Sequence, residues 1–375
     1  MRGDPKTVEG SENSMTGKSA FIYHDEYLKY QFGSDHPFQP IREKYALDIL
    51  RELEIFDDKA KIYEPERATK DDLRPVHMEN YIQYVEEMCE KGYGFLDLGD
   101  TPAKKGLFEG SLRVVGGSIL GAKLIIEGEA DHAFNPGGGL HHAKKDMAAG
   151  FCVFNDIAIA VRYLQRNYGI KRVAIVDIDG HHGDGTQQIF YDEPILKISS
   201  HRIGIFPGTG YVDELGAGKG KGYSVNIPLQ GGIGDEAYLY ALREVVPPLL
   251  ESYKPEILVN QFGVDGHYQD PLVGLALTTK TYEKVAETMH SLAHELCQGR
   301  LLVLGGGGYN INNTARCWAV MFATICGCLP EKHIESYRRL FDKPLNREDK
   351  SSIEAVKSTV EDIKRIIFPI HNLKT

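Results

Sequence analysis

The sequence predicts an α/β protein: a three-layer single domain with a central parallel sheet flanked by helices. Three observations predict it. Strand-like and helix-like segments alternate along most of the chain. The strand segments are near-continuous apolar runs, as expected where both faces of a sheet are covered. Each of the main runs is followed by glycines or by polar, chemically able residues, and in open parallel sheets ligands bind at the carboxyl ends of the strands.

Residues 1–18 are polar and without period. They are expected to be a disordered tail, or in part an appended segment with the native start at Met15. Residues 19–375 are expected to be one domain. Ser19 to Tyr30 opens on a short apolar strand, and helical spacing follows Pro40 as far as Phe56. Lys70 to Gly92 reads as a helix. Gly106 to Ala130, rich in small residues, reads as a buried, closely packed helix. From there the rhythm tightens. Ala130 to Gly139 is a short apolar stretch ending in glycines, and Gly150 to Gly169 a helix. Lys171 to Gly180 is a strand, Asp184 to Glu193 a helix, and Ile195 to His201 and Gly222 to Leu229 are strands. Asp235 to Lys254 is a helix, Pro255 to Asp265 a strand, Thr278 to Gly299 a helix, Arg300 to Tyr309 a strand, and Thr314 to Gly327 a closing helix.

The chain has 375 residues, 42% of them hydrophobic, enough for a large core. A net charge of −10 with no basic run argues against nucleic-acid binding and suits a cationic substrate better than an anionic one. Six cysteines include no C-x-x-C pair. Cys326 and Cys328 form only a C-x-C, too little for a closed zinc site. There is no leader-like segment and no apolar run long enough to span a bilayer, so a cytoplasmic setting with reduced thiols and no membrane partner is expected.

The stretch Asp177 to Gly185 packs three aspartates and two histidines behind an apolar run. Asp179 and His181 stand two apart, on one side of an extended backbone. Carboxylate plus imidazole suits a divalent transition metal, and Asp265, ending another strand, supplies a third ligand. Three ligands with an open position describe a catalytic rather than a structural metal. A polar turn explains an isolated Asp-x-His as well, but not its coincidence with Asp265 and the glycine loops. His141 and His142 follow three glycines. Adjacent side chains point apart in an extended backbone, so a loop must aim both rings at one place. Histidine has the pKa of a general base, and Asp177 and Asp184 are the carboxylates left over to back the rings. Gly305 to Gly308 have no use in a core. They bring Tyr309 to the site, where its hydroxyl would stabilise an oxyanion. Phe151 and Phe206, both in glycine-rich loops, would wall a narrow apolar tunnel for a methylene chain.

The motifs Gly137 to Asp156, Val176 to Tyr191, Phe206 to Gly210, Gln261 to Leu272 and Leu304 to Trp318 together resemble the zinc-dependent histone deacetylase family. Tyr23 to Arg42 is similar to the prokaryotic acetoin utilization protein branch, the AcuC type. The resemblance runs from about Phe21 to about Leu329. It implies the arginase/deacetylase fold with an eight-stranded parallel sheet, and zinc on Asp179, His181 and Asp265. It implies zinc-dependent hydrolysis of the acetyl amide of N-ε-acetyl-lysine in proteins. A metal-activated water attacks, His142 paired with Asp184 is the general base, His141 paired with Asp177 is electrostatic or the general acid, and Tyr309 polarises the carbonyl. Phe151 and Phe206 would line the tunnel, Asp100 would hold substrate backbone at its mouth, and Gly139 would turn its carbonyl to the leaving amine. Leu272 lies in the rim loop. The resemblance also implies structural potassium at Asp177, Asp179, His181, Ser199 and Ser200, with Phe190 and Tyr223 at a second potassium place. His267 and Tyr268 depart from the family pattern and are expected to reshape the rim. The partner implied is an acetylated protein, an acyl-CoA synthetase or a chromatin protein.

Three other readings fit less of the sequence. An enzyme for acetylpolyamines would carry an insertion narrowing the entrance. A non-catalytic acetyl-lysine binder would lack Tyr309 or a ligand. A two-manganese enzyme would need more bridging carboxylates. The ligand set accepts ferrous iron as well as zinc.

Overall fold

The computed structural model describes residues 17–345 and 350–375. Of the expected tail, 1–16 lie outside these residues. Lys18 is already part of the fold: its N–H donates to Asp131 Oδ2 (2.8 Å) and its carbonyl accepts from the Asp131 N–H (2.8 Å).

The strands are β1 (Ser19–Ile22), β2 (Ala60–Tyr63), β3 (His132–Asn135), β4 (Val173–Asp177), β5 (Leu196–Arg202), β6 (Ser224–Leu229), β7 (Ile257–Gln261) and β8 (Leu301–Leu304). They form one eight-stranded sheet in the order β2-β1-β3-β8-β7-β4-β5-β6, and every pairing is parallel. The helices are α1 (Ile41–Glu52), α2 (Lys70–Leu73), α3 (Glu79–Lys91), α4 (Leu107–Ile126), α5 (Asp156–Tyr168), α6 (Asp184–Ile189), α7 (Asp235–Tyr253), α8 (Thr279–Cys297), α9 (Ile311–Cys326), α10 (Ile334–Arg338) and α11 (Lys350–Ile367). α4 packs on α5. α1 packs on α9, α9 on α8, α8 on α7, and α7 on α11. β1, β3, β4, β7 and β8 are buried at every position, as covering on both faces requires.

Four elements differ from expectation, each for a local reason. β2 has no apolar run to announce it, because an edge strand leaves Lys61 and Ile62 exposed. Pro75 has no N–H to donate back to Asp71, so the helix expected over 70–92 divides into α2 and α3. The helix expected from Gly150 begins only at Asp156, where the Asn155 side chain caps it by accepting from the Ala158 N–H (2.9 Å). α6 is a short helix of six residues, ending before Phe190.

Because all strands run the same way, the segments after β3, β4, β5, β7 and β8 leave one edge of the sheet. His141–His142, Asp179–His181, Asp265 and Tyr309 all lie on those segments.

Candidate active site

Two buried carboxylates and one imidazole meet beyond the ends of β4 and β7. His181 Nδ1 lies 2.8 Å from Asp265 Oδ2 and 3.3 Å from Asp179 Oδ1. One ligand atom from each of Asp179, His181 and Asp265 lies within 4.8 Å of the others. Backbone donors hold both carboxylates. The His181 N–H reaches Asp179 Oδ1 (3.0 Å), the Gly307 N–H reaches Asp179 Oδ2 (2.7 Å), and the Gly180 N–H reaches Asp265 Oδ1 (2.6 Å). Burial disfavours charge on His181, but Asp265 and Asp179 outweigh it and push the imidazole up to about 10. This patch therefore demands positive charge. Oxygen and imidazole donors in this arrangement fit a divalent transition metal.

His141 and His142 sit in the loop after β3, both buried. The loop overcomes the divergence of neighbouring side chains: the two Nε2 atoms stand 3.1 Å apart. Each ring is backed at Nδ1 by its own carboxylate, His141 by Asp177 (2.7 Å) and His142 by Asp184 (2.7 Å). The backing is unequal. Asp184 also faces Lys144 Nζ at 3.1 Å, which offsets part of its charge. Burial lowers His141, yet Asp177 and Asp179 raise it to about 9. Burial and its charged neighbour His141 bring His142 down to about 4. The shifts favour the positive charge on His141 and the neutral ring on His142.

Tyr309 arrives on the four glycines after β8. A side chain at Gly307 would run into the Asp265 and Asp179 carboxylates, and one at Gly305 into the Pro136 carbonyl, so close backbone approach is what these positions require. Gly306 and Gly308 also have left-handed φ, 94° and 150°. The Tyr309 ring lies 6.2 Å from the His181 ring and 5.8 Å from that of Phe151. Phe206 stands against the histidines, 4.9 Å from His142. The two phenylalanines thus flank the centre from the Tyr309 side and the His142 side. Phe151 has φ 67°, held by its N–H on Thr101 Oγ1 (3.1 Å) and its carbonyl under the Tyr30 hydroxyl (2.7 Å).

A cavity of about 400 Å³ opens beside Phe206, lined by Asp97 to Asp100, Lys144, Gly150 and Asp184 among others. The three cluster ligands do not line it. Asp100 is exposed on its rim, and burial of its carboxyl beside Asp97 pushes it up to about 7. Gly139 turns its carbonyl to Gln261 Nε2 (3.1 Å). Leu272 is 40% exposed. His267, expected to reshape the rim, does not reach it. It is 1% exposed and its Nε2 meets Asp342 Oδ2 at 2.9 Å, tying the Asp265 loop to the segment before residue 345.

The residues expected at potassium are adjacent: Asp177 pairs with Ser199 in register, and the Ser200 hydroxyl donates to the Asp177 carbonyl (3.4 Å). Ser199 Oγ is turned to His201 Nδ1 (2.9 Å). At the second expected place a protein amine is already present. Lys197 Nζ donates to the carbonyls of Phe190 (2.8 Å) and Ile195 (2.9 Å), and the Lys197 N–H to that of Tyr223 (2.8 Å).

Three residues at the site escaped the sequence reading. Gln261 Nε2 donates to Asp179 Oδ2 (2.8 Å). Asp270 accepts the Tyr309 N–H (2.8 Å) and the Leu272 N–H (2.9 Å). Arg42, fully buried, donates to the carbonyls of Gly308 (2.6 Å) and Gly306 (2.8 Å) and packs over Trp318. Gln261 and Asp270 lie within the motif Gln261 to Leu272. Arg42 lies 264 residues from its partner Gly306, and no local pattern marks it.

Comparisons with known proteins place the chain in a family. Residues 36–325 match the histone deacetylase domain. The chain is 39% identical over 327 residues to the acetoin utilization protein AcuC of Bacillus subtilis, covering 84% of each. It is 36% identical over 353 residues to a probable deacetylase of Archaeoglobus fulgidus, covering 93% of this chain and 97% of that one. The crystal structure of the HDA15 HD domain superposes with a TM-score of 0.81 at 28% identity, over 96% of each chain. A parallel eight-stranded α/β fold that gathers these motifs at one sheet edge is the arginase/deacetylase fold, and the chain belongs to the histone deacetylase family, in its AcuC branch.

Proposed function

We propose that the chain hydrolyses the acetyl amide of N-ε-acetyl-lysine in proteins, releasing acetate and the free ε-amine. One observation carries the reading: two His–Asp pairs meet at their Nε2 atoms 3.1 Å apart, beside the Asp179–His181–Asp265 cluster. Asp179, His181 and Asp265 would hold zinc, and ferrous iron suits the same donors. Such an ion supplies Lewis acidity at the carbonyl and makes water more acidic.

The chain's own groups supply the rest. Phe151 and Phe206 guide the methylene stem, and Asp100 receives substrate backbone at the mouth. His142, neutral, takes a proton from the water that attacks the carbonyl carbon. The Tyr309 hydroxyl donates to the oxygen as charge develops there. The C–N bond then breaks, His141 gives its proton to the departing amine, and the Gly139 carbonyl accepts from that amine. Potassium would lie against Asp177, Asp179, His181, Ser199 and Ser200, and fix the charge behind the pair.

An acetylated protein, such as an acyl-CoA synthetase or a chromatin protein, is the partner proposed. The rim supports a macromolecular substrate: Leu98 is 99% exposed and Phe206 45%, an apolar surface that a free amine would leave in water. Among the described residues no helix is long and apolar enough to cross a membrane. The test is acetate release from acetyl-lysine peptides and from acetylspermidine by one preparation, with its metal counted. Peptide turnover exceeding that of the polyamine is expected. Acetylspermidine as the better substrate, or metal-loaded protein that binds peptide and releases no acetate, refutes the proposal.

A further inference from the structure

At the other edge of the sheet, three histidines converge. His132 opens β3 and is 0% exposed. The far end of β3 faces the candidate active site, since the Asn135 carbonyl there accepts from the Gly305 N–H (3.0 Å). His290 and His294 stand four residues apart near the end of α8, one above the other on one helix face. His294 Nε2 is 3.3 Å from His132 Nε2 and 3.1 Å from His290 Nε2. The three ring planes are near perpendicular to one another, at 78°, 81° and 87°.

Hydrogen bonding alone explains this badly. A ring nitrogen carries one proton or one lone pair, directed along the ring, and serves one good partner. His294 Nε2 has two at hydrogen-bond distance. A neutral imidazole nitrogen is a metal-ligating group, and one ion can take a lone pair from each of three such rings. A tetrahedral ion with nitrogen ligands at about 2.0–2.1 Å holds those nitrogens about 3.3 Å apart. The observed separations of 3.1 and 3.3 Å are close to that edge. One ligand nitrogen from each of the three lies within 4.8 Å of the others.

We propose that His132, His290 and His294 form a second transition-metal site, distinct from the Asp179–His181–Asp265 cluster. An all-imidazole set favours zinc, cobalt, nickel or copper over magnesium or calcium. His290 and His294 are partly exposed, which gives the ion an entry, while His132 anchors it to the sheet. The bound ion ties the end of α8 to the start of β3, residues 162 apart in sequence.

The test is a metal count on the full chain, stripped with chelator, equilibrated with zinc sulfate alone and passed through gel filtration. Two zinc ions per chain are expected in the wild type, one in His290→Gln/His294→Gln and one in Asp179→Ala/Asp265→Ala. In the aspartate variant, cobalt(II) should give the visible absorption of a tetrahedral nitrogen-ligated ion, and zinc should raise the Tm. A single zinc in the wild type that the histidine variant keeps overturns the proposal. So does an aspartate variant that binds none, or a histidine variant that keeps both. If the histidine variant does not fold, the wild-type and aspartate counts decide.

Discussion

Tyr309 and Asp270 should act as one unit, and their coupling tests how the oxyanion donor is held. Asp270 Oδ2 accepts the Tyr309 N–H at 2.8 Å, while Oδ1 accepts the Leu272 N–H at 2.9 Å. Asp270→Asn keeps the shape but one acceptor only, so an amide group faces one of the two N–H donors. Losing a hydrogen bond to a charged group costs about 1.5–3 kcal/mol, about ten- to a hundredfold in rate if it falls on the placement of Tyr309. Tyr309→Phe removes an oxyanion donor outright, worth about 10²–10³-fold, and it should fall on kcat more than on KM. With the hydroxyl gone, its placement no longer matters. Asp270→Asn added to Tyr309→Phe should then cost less than about threefold more. The assay is acetate release from an acetyl-lysine peptide, with kcat and KM separated and zinc content measured in every variant. Fully multiplicative effects would refute the coupling, and an undiminished kcat in Tyr309→Phe would show that the hydroxyl is not at the reacting carbonyl.

Asp179→Ala and Asp265→Ala should each lose the metal of the cluster and nearly all turnover, read by metal analysis beside the activity assay. His142→Ala should keep that metal and lose about 10²–10⁴-fold in kcat; a wild-type pH–rate profile in this variant would rule the base out. Lys197 should make stability depend on pH. Burial holds its ammonium down to about 7 from 10.5, so the unfolded chain binds more protons between those values. Its contribution is fully present above 10.5 and is lost as pH falls through about 7. Denaturant unfolding from pH 7 to 10 should therefore show a rising component in the wild type that Lys197→Met lacks, and equal slopes in the two proteins would refute it.

The alternation of apolar runs with helical periods was enough to identify the parallel sheet, because buried strands must be apolar on both faces. It was also enough to gather the candidate site residues at one edge, since parallel strands all end there. Asp179, His181, Asp265, His141, His142 and Tyr309 were legible for the same reason: chemistry-bearing residues stood where a core has no use for them. What the sequence could not hold was distance. Nothing local shows that Arg42 reaches the carbonyls of Gly306 and Gly308, or that His267 turns away from the rim to Asp342. The unequal backing of His141 and His142 also depends on a through-space neighbour, Lys144 beside Asp184. β2 was lost to its edge position, where exposed residues blur the pattern. His132, His290 and His294 read as scattered residues of a strand and a helix until parallel packing set α8 against the start of β3. Local periodicity records which face of an element is buried, and only the folded chain decides what that face meets.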